Sequence, residues 1–237
     1  MTITTSKITV EFNQFVDNTL YGDNTLYTTL QPLGIRLMLL TDATGISLTG
    51  TNDKQNFFIK ELTDSAYSRQ TYTPSTSSYD GTNRRVTRTT TPIGVSPGTS
   101  LTYQAIALVY GGRSGKKPSV VTPNVSPDTF TLSSHGLSNG EEVIIYSVGG
   151  SRPTGISNVI YYAKSIDTNT FEIYSDVGLT TKVTFTDAGS GTIYVNYCRG
   201  IVMGFAIHDV QQTILSTQTS TINSNIGFTN TNYAVGV

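Results

Sequence analysis

The chain of 237 residues is short of cysteine, charge and long apolar runs, and each shortage narrows what it can be. Cys198 is the only cysteine, which rules out an intrachain disulfide and a zinc site built from paired cysteines. Charged residues make up 13%, against roughly 25% in ordinary soluble domains, and the formal net charge is -1. Phosphate-driven binding needs clustered Lys and Arg, so no nucleic-acid partner is expected. No apolar stretch approaches the roughly 18 residues of a membrane-spanning helix, so no membrane partner is expected either. The start, MTITTSKITVEF, lacks a basic region followed by an apolar one, so no signal peptide is expected and synthesis in a cytoplasm is.

Thr, Ser, Asn and Gly take the place of charge, alongside 14 tyrosines. Abundant β-branched and aromatic residues predict packed strands rather than disorder. No segment of about 12 residues has helical periodicity, so the expected class is all-β. Ile8, Val10 and Phe12 alternate within Thr5–Phe12, a first strand. Gly34–Leu40 is apolar on both faces apart from Arg36, which reads as a central strand. Leu101–Tyr110 is the strongest apolar run, and Gly200–Ile207 reads as a second central strand whose glycines admit a close backbone neighbour. Gln211–Val237 predicts a strand followed by an extended arm. The near-repeat DNTLYGDNTLY is too short to signal a solenoid.

Between the two strongest runs lies a stretch with strand patterning of its own, Ser126–Val195. Val143, Ile145 and Ser147 alternate with Ile144 and Tyr146, and Thr170, Glu172 and Tyr174 with Phe171 and Ile173. The expected organisation is a discontinuous outer domain, 1–122 plus 196–237, shaped as a β-sandwich or barrel. A small antiparallel β-module, 123–195, is inserted in one of its hairpins.

No catalytic, metal-binding or cofactor-binding residue emerges, and no cofactor is expected. His135 belongs to a His-Gly-Leu turn, where a side-chain bond to backbone is the plain role. His208 and Asp209 are adjacent on a strand, so they point to opposite faces and are poorly placed as base and orienting acid. Gly111–Lys117, GGRSGKK, lacks phosphate-loop spacing and reads as an exposed turn. Glu141 and Glu142 read as charges guarding an exposed sheet edge. The candidate partner-contact residues are Tyr146, Tyr161, Tyr162 and Tyr174 in the module, and Arg84, Arg85 and Arg88 in the one basic cluster. Exposed tyrosines among these would stack on sugars or contact a protein, and the rest would be core.

Two resemblances sharpen this reading. Ile35–Ala43, Lys60–Tyr72, Gln104–Tyr110 and Ile201–Asp209 follow the order of motifs in a family of short tailed-phage virion proteins, which the outer domain resembles. The chain departs from that pattern at Gln70-Thr71-Tyr72, in a longer tail and in the insert. The insert is similar to the FCCH-like β-module, named after a half-domain of ubiquitin-activating enzymes. The matching residues are Phe130, His135-Gly136-Leu137, Gly140, Val143, Pro153, Gly155, Tyr161-Tyr162, Thr170-Phe171, Phe185-Thr186 and Gly189-Ser190-Gly191-Thr192. This second resemblance implies a small barrel or sandwich and no ubiquitin chemistry.

Together they imply a non-enzymatic phage structural protein in the virion, made in the host cytoplasm, and most specifically a capsid decoration (cement) protein. Its implied partners are the major capsid protein or other virion proteins and copies of itself, a trimer being the analogy from shell three-fold positions. On this reading the insert projects outward and can be lost without disturbing the domain beneath, and the arm Thr217–Val237 adds a strand to a neighbour. The alternatives are a tail, neck or fibre component, or a module that binds a host-surface glycan or receptor.

Overall fold

Runs of β-branched and aromatic residues become strands throughout, and the two strongest runs pair with each other. The computed structural model describes residues 3–8, 34–42, 44–46, 54–72, 74–80, 85–90, 93–95, 99–216, 220–222 and 226–229. The near-repeat, Val10, Phe12 and Arg84 lie outside them.

The base contains β1 (Ile3–Ile8), β2 (Ile35–Leu40), helix α1 (Lys54–Ile59), β3 (Gln70–Tyr72), β4 (Pro74–Asp80), β5 (Arg85–Thr90), β6 (Ile93–Val95) and β7 (Leu101–Tyr110). Then come β8 (Ser119–Val120), β9 (Thr122–Asn124), β10 (Thr129–Thr131), β11 (Glu141–Val148), β12 (Tyr161–Ser165), β13 (Thr170–Tyr174) and β14 (Thr192–Tyr197). The chain returns to the base with β15 (Ile201–Ile214), β16 (Ser220–Ile222) and β17 (Ile226–Thr229).

An antiparallel five-stranded sheet, ordered β1-β15-β7-β2-β3, forms the base. β7 and β15 are direct neighbours, with Tyr110 opposite Ile201, so the intervening chain does sit within a hairpin. Gly200 makes that junction possible. Its φ is 109°, and a Cβ there would lie 2.5 Å from the Tyr110 carbonyl oxygen. The fold is all-β, as the sequence predicts, with the short α1 as the one helix among the described residues.

The seven strands from β8 to β14 form a second sheet, ordered β8-β14-β11-β12-β13-β10-β9. Its two ends meet on one segment, because β8 pairs with β14 while β9, just after it, pairs with β10. The sheet thereby closes into a barrel without free long edges. Phe130, Phe171, Phe185, Val143 and Ile145 fill its interior. The barrel takes in strand residues on both sides of the 123–195 boundary, from Ser119 to Tyr197.

Two smaller sheets complete the pairing among the described strands. β16 pairs with β6, and β17 with β5, which also pairs with β4. These carboxy-terminal strands are expected on a neighbouring molecule's edge. Here they pair within the chain, where the preceding β15 delivers them beside β6 and β5.

Base and barrel are not separate layers. One face of the base sheet buries Leu37, Leu39, Tyr103 and Ile106. The opposite face, with Met38, Leu40, Val109 and Val202, packs in one cluster with Phe57 and Phe58 of α1 and with Ile144 and Tyr146 of the barrel. A six-residue helix has no stability of its own. It is held because Phe57 and Phe58 are buried in that cluster, with Phe57 edge-on to Phe205 at 5.2 Å. The expectation that the insert can be lost without consequence fails on this packing, since the barrel supplies part of the base's core.

Candidate functional site

The most distinctive constellation lies in this seam. Glu61, just after α1, and Arg69, just before β3, form an ion pair at 2.7 Å with both side chains fully buried. Arg69 Nε and Nη2 donate to the two Glu61 oxygens, at 2.8 and 2.7 Å. Tyr67 donates its hydroxyl to Glu61 Oε1 at 2.7 Å and accepts the Leu39 N–H. From the barrel, Asn196 on β14 donates to Glu61 Oε2 at 2.8 Å and to the Phe58 carbonyl at 2.6 Å, and it accepts from Arg69 Nη2 at 2.8 Å. Burial works against the Arg69 cation, but the charge and hydrogen bonds of Glu61 outweigh it and raise its pKa. Burial, and then the Glu61 carboxylate, push the Tyr67 hydroxyl well above the ordinary phenol value.

Around this network a ring of cations and carboxylates joins the same two bodies. Lys54 of α1 pairs with Glu142 at 2.6 Å. Arg113 lies 3.2 Å from Glu141 and donates to the Gly136 carbonyl. Lys117 donates to the carbonyls of Asp64 and Ser65. Arg113 and Lys116 both stand over the Tyr197 ring. Two expectations are corrected here. Glu141 and Glu142 do not guard an edge, because β11 is an interior strand and each carboxylate meets a cation from the base side. Gly111–Lys117 is not a free turn, because its cations reach both bodies.

The candidate contact tyrosines are mostly core. Tyr146, Tyr161 and Tyr174 are only 5%, 4% and 6% exposed, so their rings do not offer a partner surface. Tyr146 stacks on Tyr194 in the seam, Tyr161 accepts the Ser157 N–H, and Tyr174 donates to Glu172. Tyr162 is half-buried and stays available. Arg85 and Arg88 lie on the middle strand of the small sheet, opposite Asp80 and Ser77 on one side and Thr229 and Ile226 on the other.

The histidines have structural surroundings. His135 Nδ1 accepts the Leu137 N–H at 2.9 Å, which leaves Nε2 to donate to the Asp167 carbonyl at 2.8 Å. Both nitrogens are thus committed to backbone, as the His-Gly-Leu turn predicts. His208 is buried edge-on to Tyr103, and burial lowers its pKa. The described residues hold no group of three or more His, Cys, Asp or Glu suited to a metal ion.

Cys198 is fully buried, and burial pushes its thiol well above the ordinary value against the weaker pull of Lys54 and Arg69. Native protein is therefore expected to resist thiol-specific labelling at neutral pH and to react fully once denatured. Labelling of the folded protein at the rate of a free peptide thiol would contradict the burial.

Glu61, Arg69 and Asn196 carry no local motif. The one available signal was a charged or amide residue set among apolar neighbours, as in Phe57-Phe58-Ile59-Lys60-Glu61-Leu62 and Val195-Asn196-Tyr197-Cys198. No protein-family model, curated protein or solved structure matches the chain.

Proposed function

We propose that this chain is a non-enzymatic structural protein of a tailed-phage virion, a capsid decoration protein that binds the assembled shell and other copies of itself. The observation that carries this reading is the seam. Base and barrel are locked together by a buried ionic network, Glu61 and His135 are bound into structure, and Cys198 is buried. Such a body is suited to holding a position rather than to turning over a substrate. Exposed apolar residues, Val120, Val148, Val177 and Val210 among them, and the low overall charge fit protein contacts, whose centres are depleted of charge. Binding only to the assembled shell shifts the assembly equilibrium towards it. The phage assignment itself rests on the motif order of the base and the FCCH-like pattern of the insert.

The test is the copy number and position of the protein in purified virions, by quantitative mass spectrometry and labelling. Roughly hundreds of copies spread over the head are expected, following shell symmetry. About six or twelve copies, or label on the tail, would replace decoration with a neck, tail or fibre role. Absence from virions would overturn the structural reading altogether.

A further inference from the structure

One asparagine in the chain is followed by glycine, Asn139 before Gly140, and the pair stands at the foot of the barrel. Asn139 is exposed, in the turn that leads into β11, and the residue after the pair, Glu141, lies 3.2 Å from Arg113. An asparagine before glycine is the pair most open to spontaneous deamidation, because no Cβ shields the following nitrogen or restricts its backbone. The reaction is intramolecular. The Gly140 nitrogen loses its proton and bonds to Asn139 Cγ. The Cγ–Nδ2 bond breaks, and the amide nitrogen takes up a proton and leaves as ammonia. Water then opens the cyclic imide at either carbonyl, which leaves aspartate or isoaspartate at position 139.

The fold occupies both reacting groups. Gly140 N–H donates to the Ala163 carbonyl at 2.8 Å, so the proton that must leave the nucleophile is held. Asn139 Oδ1 accepts the Ser165 N–H at 2.9 Å, so the side-chain amide is tied to β12. These bonds carry the β11–β12 ladder past its first pair, Glu141 opposite Ala163. The turn is also closed from within. Glu141 N–H donates to the Ser138 carbonyl at 3.1 Å, and Glu141 Oε2 accepts the Ser138 N–H at 3.1 Å. Gly140 is held in this turn at a φ of 77°. An exposed side chain is thus locked by main-chain bonds that break only when the start of β11 parts from β12.

We infer that Asn139 is the deamidation site of this chain and that the β11–β12 turn gates it, attack by Gly140 proceeding only when the turn opens. The product bears on the seam. Either form adds a carboxylate beside Glu141 and Glu142, whose charges Arg113 and Lys54 already take up. Isoaspartate also lengthens the backbone between positions 139 and 140, which pulls the Ser165 and Ala163 bonds out of register. A chain that has spent time unfolded is thereby marked at the joint. This inference is independent of any role in a virion.

The test incubates the full chain at one temperature and mildly alkaline pH, in buffer and in urea above the unfolding midpoint. Peptide mass spectrometry and isoaspartate detection follow each asparagine with time. In urea, Asn139 is expected to convert ahead of every other asparagine, with isoaspartate among the products. In buffer, Asn139 is expected to convert at least about tenfold more slowly, because local opening must precede attack. Another asparagine converting first in urea overturns the assignment of the site. A native rate within about tenfold of the unfolded one overturns the gate.

Discussion

Replacing Arg69 by Met is expected to destabilise the protein by about 3–5 kcal/mol, because it leaves the Glu61 carboxylate buried without its cation. That is a large part of the roughly 5–15 kcal/mol that holds a typical domain. The stem of Met still fills space beside the Phe58 ring, over which the guanidinium lies at 5.2 Å. The loss is therefore electrostatic more than steric. Replacing both members, as Glu61→Leu with Arg69→Met, is expected to recover much of it, since an apolar pair carries no desolvation penalty. Denaturant melts of the single and double variants measure both effects. A loss below about 1 kcal/mol in Arg69→Met would mean that the ion pair does not hold the seam.

The parts of this architecture visible in the sequence are those written in local periodicity. Leu101–Tyr110 and the run after Gly200 are apolar for long enough to declare themselves central strands, and their pairing follows from shared strength. The alternation of Thr170–Tyr174 marks a half-buried strand, and Phe171 and Ile173 do face the barrel interior. The His-Gly-Leu turn foretells the backbone bonds of His135, because an imidazole has two nitrogens to place and a tight turn offers partners for both.

What stayed hidden is the relation between base and barrel. Glu61 and Asn196 bond to each other across 135 positions, and no window along the chain brings them together. The tyrosines were ambiguous for a physical reason: an apolar ring with a polar tip suits a core or a contact surface equally, and only the covering layer decides. One signal of the seam was nonetheless present. Val143-Ile144-Ile145-Tyr146 is apolar at both parities, the same property that marks Ile35–Leu40 as buried on two faces. In β11, Val143 and Ile145 enter the barrel core while Ile144 and Tyr146 enter the cluster shared with α1. A strand of an inserted module that is apolar on both sides needs a neighbour outside the module.

That dependence predicts an asymmetry between the two halves. A chain in which a short glycine-serine turn replaces residues 113–199 is expected not to fold, although the turn can bridge the paired ends of β7 and β15. The β hairpin would close, but α1 would lose the barrel face that covers it. Phe57 and Phe58 would lose Ile144 and Tyr146, and Glu61 and the Phe58 carbonyl would lose the Asn196 side-chain amide. Fully burying a residue of that size contributes about 1.5–3 kcal/mol. Partial loss at several such residues, added to a broken ionic network, approaches the whole stability of the domain. The excised barrel, residues 117–199, is expected to behave differently. Its interior is filled by its own side chains and its sheet closes on itself, so only Ile144, Tyr146 and their surroundings become exposed. Circular dichroism, thermal melting and dye binding would separate the outcomes. The expected result is a cooperatively melting barrel, and a base that melts without a transition and binds a hydrophobic dye. A base that melts cooperatively within a few degrees of the intact protein would show that the barrel is an appendage after all. The converse pattern, with neither half folding alone, would make the seam essential to both cores.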